Sequence, residues 1–141
     1  MDRFARNYLI ALLSVMFIAA GWYWLSQDSR VSQINARLEA DSELADFPFT
    51  FKVMTLENGV AIMNSPRSAE VPAMQFLRTA YPALRATAVD HPDMMAAQDR
   101  LASVQSRAAK LVESQEGVQA VRWVIDERWF NEHGVFLNLA D

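Results

Sequence analysis

His91, Met94 and Met95 are the side chains whose types and spacing best suit chemistry, and they stand in the run His-Pro-Asp-Met-Met. On a helix, an imidazole at position i and thioethers at i+3 and i+4 share one face. Imidazole and soft thioether ligands suit Cu(I) outside the cytoplasm, so these three residues form a candidate copper site. Methionine is also a common gap-filler in protein cores, and we favour that structural interpretation.

The rest of the sequence predicts no catalytic or cofactor-binding residue. The chain contains no cysteine, so it has no disulfide, no thiolate metal site and no cysteine nucleophile. Its two histidines, His91 and His133, are not spaced like the histidine pair of a helical metal site. Neither a nucleophilic-serine motif nor a glycine-rich phosphate loop occurs. We therefore expect no catalytic residue, no cofactor and no metal.

The charge of the chain disfavours one class of partner, nucleic acid. The formal net charge of the 141 residues is −4, and the first 25 residues contain two arginines and one aspartate. The remaining residues therefore include eleven basic and sixteen acidic side chains, a net charge of −5. Because nucleic-acid-binding domains neutralise phosphates with lysine and arginine, we expect no nucleic acid partner.

Residues 8–25, which read YLIALLSVMFIAAGWYWL, contain no charged residue and no proline. A helix of eighteen residues measures about 27 Å, close to the roughly 30 Å hydrocarbon core of a bilayer. Tyr8 stands at one end, and Trp22, Tyr23 and Trp24 stand at the other, where aromatic rings favour the headgroup level. This stretch is predicted to be a single transmembrane helix.

Basic residues before the span predict its orientation. Arg3 and Arg6 make residues 1–7 an expected cytoplasmic basic end. We expect the protein in the inner (plasma) membrane, with the rest of the chain periplasmic or otherwise extracytoplasmic. A signal peptide cleaved after Gly21 is the alternative, because a basic start, an apolar run and small residues also mark such peptides.

One side of the predicted span carries mostly small residues. Ala11, Ser14, Ile18 and Gly21 fall on one helical stripe, and small side chains there let a second helix approach closely. This stripe is the predicted helix-packing interface with other integral membrane subunits. The alternative is a helix surrounded by lipid alone, in which alanine and serine are also tolerated.

The chain after the span changes character twice. Val31, Ile34 and Leu38 recur at steps of three and four, so residues 26–46 are predicted to be a helical stalk or linker whose helix reaches about residue 40. Further on, Asn58-Gly59 stands between two strand-like runs and predicts a β-hairpin. In that hairpin Glu57 would oppose Val60, Thr55 would oppose Ile62, and Val53 would oppose Asn64.

Residues 47–141 are predicted to fold as one small extracytoplasmic α+β domain. After the hairpin, we expect helices over residues 68–80 and from Asp90 to about residue 114, where Gly117 follows. A strand over residues 118–125 and a short helix capped by Asp126 complete the domain. The sheet is expected to be mainly antiparallel, with helices on one face.

Large aromatic side chains are concentrated near the C-terminus. In a small domain most of them should be core residues, but some are expected to form an exposed patch for interaction with another protein. The candidate patch comprises Trp123, Trp129, Phe130 and Phe136.

These features favour a non-catalytic, single-pass membrane-anchored accessory or assembly subunit of a larger membrane protein complex. Its expected partners are other integral membrane subunits, reached through the transmembrane helix, and membrane lipid. An anchored periplasmic ligand- or peptide-binding module is the alternative, and it requires a concave apolar pocket beside the sheet. A hydrolase-like enzyme is the least favoured function, because it requires polar side chains that converge in such a pocket.

Overall fold

The computed structural model describes residues 2–139, and for residues 26–28 it describes the backbone only. The chain folds as a mixed α+β structure, as predicted, with a long N-terminal helix and a three-stranded sheet. The elements in chain order are α1 (Arg3–Ala40), α2 (Ser42–Ala45), β1 (Val53–Glu57), β2 (Val60–Ser65), α3 (Ala73–Ala80), a 3-10 turn (Pro82–Leu84), α4 (Pro92–Glu113), β3 (Ala120–Ile125) and α5 (Glu127–Glu132).

Helix α1 has two different halves. Every described side chain from residue 2 to residue 25 is exposed, although this half is strongly apolar. In the second half Ile34 and Leu38 are buried in the domain core. By length and composition α1 can cross a membrane. The predicted continuation of the helix to about Ala40 is confirmed, and its start at Arg3 lies within the segment expected to be a separate basic end.

The sheet is mixed, so the prediction of a mainly antiparallel sheet was wrong. Its strand order is β1-β2-β3, with β1 antiparallel to β2 and β2 parallel to β3. The antiparallel pair turns at Asn58-Gly59, where both residues have positive φ values of 51° and 79°. The connection from β2 to β3 contains α3 and α4, and a long helical crossover of this kind is what returns a chain for parallel pairing.

The hairpin register differs from the prediction at one position. Glu57 pairs with Val60, and Thr55 pairs with Ile62, as expected, but Val53 pairs with Met63 instead of Asn64. The register shifts between Val53 and Thr55, which is a β-bulge. The extra residue lets both Val53 and Leu56 turn into the core, whereas strict alternation would have placed them on opposite faces.

Several element boundaries also differ from the predictions. Helix α3 begins at Ala73 and not at residue 68, because the Ser68 hydroxyl accepts hydrogen bonds from the N–H groups of Glu70 and Val71 and holds a turn. Helix α4 is capped by His91 and not by Asp90. The predicted cap of the last helix is confirmed, since the Asp126 carboxylate accepts a hydrogen bond from the N–H of Trp129 at 3.1 Å.

The core lies between the sheet and the helices and contains a cluster of aromatic rings. Phe76 and Trp129 have their ring centroids 4.8 Å apart, and Phe49 meets Phe76 edge to face at 5.8 Å. Such ring pairs add to the free energy gained from burying their area. Other fully or almost fully buried core side chains include Phe51, Met63, Leu77, Met94, Leu101, Val112 and Phe130.

Helix α1 runs in the same sense as β2 and β3. Arg30 approaches Gly117 beyond the end of α4, and Asp41, after the end of α1, pairs with Arg107 further back in α4, so α1 and α4 are antiparallel. Helix α4 is also antiparallel to β2. The Gln105 side chain, within α4, forms a hydrogen bond to Ser65 at the end of β2, and the N–H of Gln119, after α4, donates to Gly59 just before β2 begins. The apolar half of α1 therefore leaves the domain at the end where the hairpin turn lies.

Candidate functional site

The three candidate copper ligands do not converge. The Nδ1 atom of His91 accepts a hydrogen bond from the N–H of Asp93 at 3.1 Å and so caps α4. Met94 is fully buried in the core, whereas Met95 is 54 % exposed. Thioethers on the inner and outer sides of one helix cannot bind the same ion as the capping imidazole. Nor do residues 2–139 contain a group of three His, Cys, Asp or Glu side chains arranged for a metal ion.

The second histidine takes part in packing. The His133 ring stacks on Trp129 with the ring centroids 3.9 Å apart, and its Nδ1 lies 2.7 Å from the Trp129 carbonyl oxygen. These contacts hold the ring at the end of α5. We assign His133 a structural role on this basis.

The small-residue stripe of the predicted span is fully open. Ala11, Ser14, Ile18 and Gly21 are all exposed, and a Cβ built at Gly21 would meet no atom within 4 Å. The Ser14 hydroxyl donates a hydrogen bond to the Ile10 carbonyl at 2.8 Å, so its polar group is satisfied within the helix. The stripe therefore exposes no unsatisfied polar side chain, and a second helix can approach it.

The aromatic residues near the C-terminus divide between the core and the surface. Phe130 is fully buried and Trp129 is 9 % exposed, so both belong to the core and not to a surface patch. Trp123 is partly buried and meets Phe51 edge to face. Phe136 is 80 % exposed. Of the four residues in the candidate patch, only Trp123 and Phe136 offer surface to a partner.

A cleft of about 460 Å³ lies between α4 and the sheet. A closed set of hydrogen bonds forms part of its wall: the Nε of Arg67 donates to Gln105 at 2.9 Å, Gln105 donates to the Ser65 hydroxyl at 3.1 Å, and that hydroxyl donates to the Arg67 carbonyl at 2.7 Å. The cleft is lined by Ser65, Arg67, Ser68, Ala102, Gln105, Ser106, Ala109 and Trp123.

These hydrogen bonds orient Arg67. Ser65 and Gln105 are buried, whereas Arg67 is exposed, so two fixed side chains direct a solvent-facing guanidinium. Within the described chain its Nη atoms make no hydrogen bond or ion pair. A guanidinium with free N–H groups is suited to bind a carboxylate. The lining is mixed, because Ala102, Ala109 and Trp123 contribute an apolar part beside these polar side chains.

Strand β3 forms an open edge of the sheet beside this cleft. The N–H of Ala120 donates to Gly59 at 3.2 Å, and that of Asp126 donates to Ser65 at 2.9 Å, so the even-numbered residues direct their backbone groups towards β2. Backbone groups alternate in direction along a strand, so Val121, Trp123 and Ile125 direct theirs away from the sheet. No described residue forms a hydrogen bond to these outward groups.

At the opposite edge of the sheet, α1 covers the backbone of β1 at Val53. The Asn35 side chain accepts a hydrogen bond from the Val53 N–H at 2.7 Å and donates one to the Val53 carbonyl at 3.0 Å. The amide group thus takes the place that a neighbouring strand would occupy on β1 at this residue. The two edges of the sheet are therefore not equivalent.

An ion pair joins the end of α1 to α4. The guanidinium of Arg107 lies 2.9 Å from the Asp41 carboxylate, and its hydrogen bond lowers the pKa of that carboxyl below its ordinary value. The same carboxylate accepts hydrogen bonds from the N–H groups of Glu43 and Leu44 and caps α2. These contacts are structural, because they fix the connection between α1 and the domain.

The sequence did not predict the group of Ser65, Arg67 and Gln105. Gln105 lies among apolar residues on the buried face of α4, and a polar residue in that position was the available signal. Its partners lie 38 and 40 residues away in the chain, which no local pattern reveals.

No protein-family model, no curated protein and no solved structure matches the chain.

Proposed function

We propose that this chain is a non-catalytic, single-pass membrane-anchored accessory or assembly subunit of a larger membrane protein complex. In this proposal the first half of α1 spans the inner membrane with its N-terminus in the cytoplasm. The rest of the chain forms a periplasmic domain that contacts other subunits.

The observation that carries the proposal is the contrast between the two halves of α1. Its 18-residue apolar stretch has no buried residue, whereas Ile34 and Leu38 of the same helix lie in the core. An apolar helix of a soluble domain normally buries one face, and a fully exposed one requires lipid or other helices around it. The unbroken helix from Arg3 to Ala40 would couple that covered segment directly to the domain.

Assembly with other subunits is supported by the open stripe in the first half of α1. Without a hydrophobic driving force between helices in lipid, association relies on close packing at small residues. Ala11, Ser14 and Gly21 offer such a surface, because all three are exposed. A second membrane helix is therefore the partner that this surface fits.

The topology can be tested with single cysteines, because the native chain has none. Asn7→Cys precedes the span, and Val124→Cys lies on the exposed face of β3. In spheroplasts of a Gram-negative host, a membrane-impermeant maleimide should label Val124→Cys at once and Asn7→Cys only after detergent is added. The labelled chain should keep its full mass and resist carbonate extraction. Loss of the first 21 residues, or labelling of Asn7→Cys alone, would contradict the proposed anchoring.

Assembly needs a separate experiment with the protein at native abundance. After mild detergent extraction, native mass analysis should show the chain with a co-purifying membrane protein. Ser14→Leu should reduce the amount of that complex several-fold, because the larger side chain prevents close helix approach. Met16→Leu is the matched control, since two residues further along place it about 200° round the helix. A monomer in every variant, including the wild type, would contradict the subunit role.

A second candidate function is that of an anchored peptide-binding module. It is favoured by the open edge of β3 and by the cleft that Arg67 and Trp123 line beside it. Extended peptides commonly bind to such edges through backbone hydrogen bonds. The two functions are compatible, because a subunit of a complex can bind a segment of its neighbour in this way.

A further inference from the structure

We propose that the outer edge of β3 binds an extended segment of a different protein, which adds to the sheet as a fourth strand. The segment carries apolar side chains on the face that Val121, Trp123 and Ile125 occupy and acidic side chains on the face of Arg122. This inference deepens the proposed function, because it names the contact through which the domain meets a partner. That the added strand comes from a different protein, and not from a second copy of this chain, rests on the proposed membrane anchoring.

The geometry of the edge supplies six backbone hydrogen-bonding groups. Val121, Trp123 and Ile125 each direct one N–H and one C=O away from β2. All six groups belong to three residues of one regular strand, since β3 pairs with β2 without a register shift. A strand laid along this edge can therefore form a continuous ladder with it.

The edge has few of the features that proteins use to prevent strand pairing. Free edges are usually protected by proline, charged side chains, a bulge or a covering element. Strand β3 contains no proline and no bulge, its one charged side chain is Arg122, and the bulge of this sheet lies in β1. At the β1 edge, Asn35 satisfies the Val53 backbone through both of its amide atoms. The contrast indicates that the β3 edge is kept available for a partner.

A second copy of the chain does not fit this edge in one membrane. Antiparallel pairing of two β3 strands uses a twofold axis perpendicular to the sheet, and that axis reverses every direction within the sheet. Because α1 runs in the same sense as β3, the apolar halves of the two helices would leave the paired sheets at opposite ends. They could not enter the same bilayer, which excludes an antiparallel pair of this chain, and we assign the edge to a segment of another protein.

The two faces of β3 determine the chemistry of that segment. Val121, Trp123 and Ile125 are half-buried on the side of α4, where an added strand would place every second side chain next to theirs. On the other face Arg122 is exposed and makes no ion pair with a described residue. Cross-strand neighbours of opposite charge and of matched apolar type stabilise a sheet. An alternating apolar and acidic segment meets both requirements.

The test uses the full-length chain in lipid nanodiscs and measures amide exchange by NMR. In the free protein the amides of Arg122 and Val124 should exchange slowly, and those of Val121, Trp123 and Ile125 should exchange fast. A short peptide of alternating valine and glutamate should slow exchange at these three amides. The same peptide with a central proline should not, because proline lacks the N–H that the ladder needs.

A pair of variants tests whether the backbone carries the binding. Val121→Pro removes an outward N–H without touching the hydrogen bonds to β2, and proline is tolerated at such edge positions. It should weaken the binding of the valine-glutamate peptide at least about tenfold, which equals 1.4 kcal/mol. Val121→Ala shortens the same side chain but keeps the N–H, so it should bind within about twofold of the wild type.

Three results would overturn the proposal. One is slow exchange of the Val121, Trp123 and Ile125 amides in the chain without peptide. If these amides then exchange faster on dilution of the protein, a second copy of the chain covers the edge. Another is protection of β1 amides by the peptide. The third is equal binding by Val121→Pro and Val121→Ala. The topology experiment tests the anchoring by labelling Asn7→Cys and Val124→Cys in the absence of any peptide, so failure of the anchoring and failure of the strand addition can be told apart.

Discussion

The amide of Asn35 and the backbone of Val53 form a two-point contact, although the residues lie 18 positions apart. The side-chain oxygen accepts from the Val53 N–H at 2.7 Å, and the side-chain nitrogen donates to the Val53 carbonyl at 3.0 Å. Val53 is only 2 % exposed, so water does not readily replace either bond. This contact fixes the second half of α1 to the edge of the sheet.

Asn35→Ala should therefore destabilise the domain by about 2–4 kcal/mol, because two buried backbone groups lose their partners. Chemical denaturation of the full-length chain in detergent, followed by tryptophan fluorescence, measures the free energy of unfolding. Ser32→Ala on the exposed side of the same helix is the control and should change stability by less than about 0.5 kcal/mol. Equal stability of the two variants would show that water or another group replaces the amide.

Phe130 and Phe136 provide a comparison of one residue type in two environments. Phe130 is fully buried, whereas Phe136 is 80 % exposed. Phe130→Ala should cost about 3–5 kcal/mol of folding free energy, because it removes buried area and leaves a cavity. Phe136→Ala should cost less than about 0.5 kcal/mol. A large loss for Phe136→Ala in the isolated chain would mean that its ring packs on the domain in solution.

Local patterns predicted a large part of the fold. The spacing of Ile34 and Leu38 predicted the helical stalk that packs on the domain, and Asn58-Gly59 predicted the hairpin turn with its two positive φ angles. Asp126 predicted the start of the last helix. Each signal works because the residue type and its conformation are linked within a few positions of the chain.

Features that depend on distant residues were not predictable in this way. The bulge next to Val53 arises because both Val53 and Leu56 are drawn into the core, which overrides strict alternation. The parallel pairing of β3 depends on how α3 and α4 return the chain to the sheet. Likewise, the orientation of Arg67 depends on Gln105, which lies 38 residues further along. The candidate site is built mostly from such distant contacts, so the sequence revealed only its tryptophan.

Alanine substitutions at Gly117 and Gly134 show how much the contact between α1 and the loop after α4 affects the free energy of unfolding. Both have positive φ, at 84° and 78°, so alanine at either position should cost about 1–2 kcal/mol of backbone strain. A Cβ at Gly117 would also lie 2.7 Å from the Nη1 of Arg30, whereas one at Gly134 would meet no atom within 4 Å. Gly117→Ala should therefore be the more destabilising variant in chemical denaturation, but only by about 0.5–1 kcal/mol, because the contact is with the flexible end of the exposed Arg30 side chain, which can move aside.

The background variant Arg30→Ala separates the two effects. Once the guanidinium is absent, Gly117→Ala and Gly134→Ala should destabilise the protein equally within about 0.5 kcal/mol, because only the backbone strain remains. If the difference between them persists in this background, the contact with Arg30 is not its cause.

The contact between Asp41 and Arg107 should make stability depend on acidity. The hydrogen bond from Arg107 holds the pKa of the Asp41 carboxyl below its ordinary value of 3.8, so the folded state favours the carboxylate more than the unfolded state does. Its contribution is fully present above the unfolded pKa and is lost as the pH falls through the lower, folded pKa.

Asp41→Asn keeps an amide oxygen that can cap α2, so it removes mainly the charge. The urea midpoint of the wild type should therefore exceed that of Asp41→Asn above about pH 5, and the difference should shrink below about pH 4. Glu39→Gln, at an exposed position without a described ion pair, is the control for the general loss of negative charge. A difference between the wild type and Asp41→Asn that stays constant down to pH of about 3 would contradict the role of this contact.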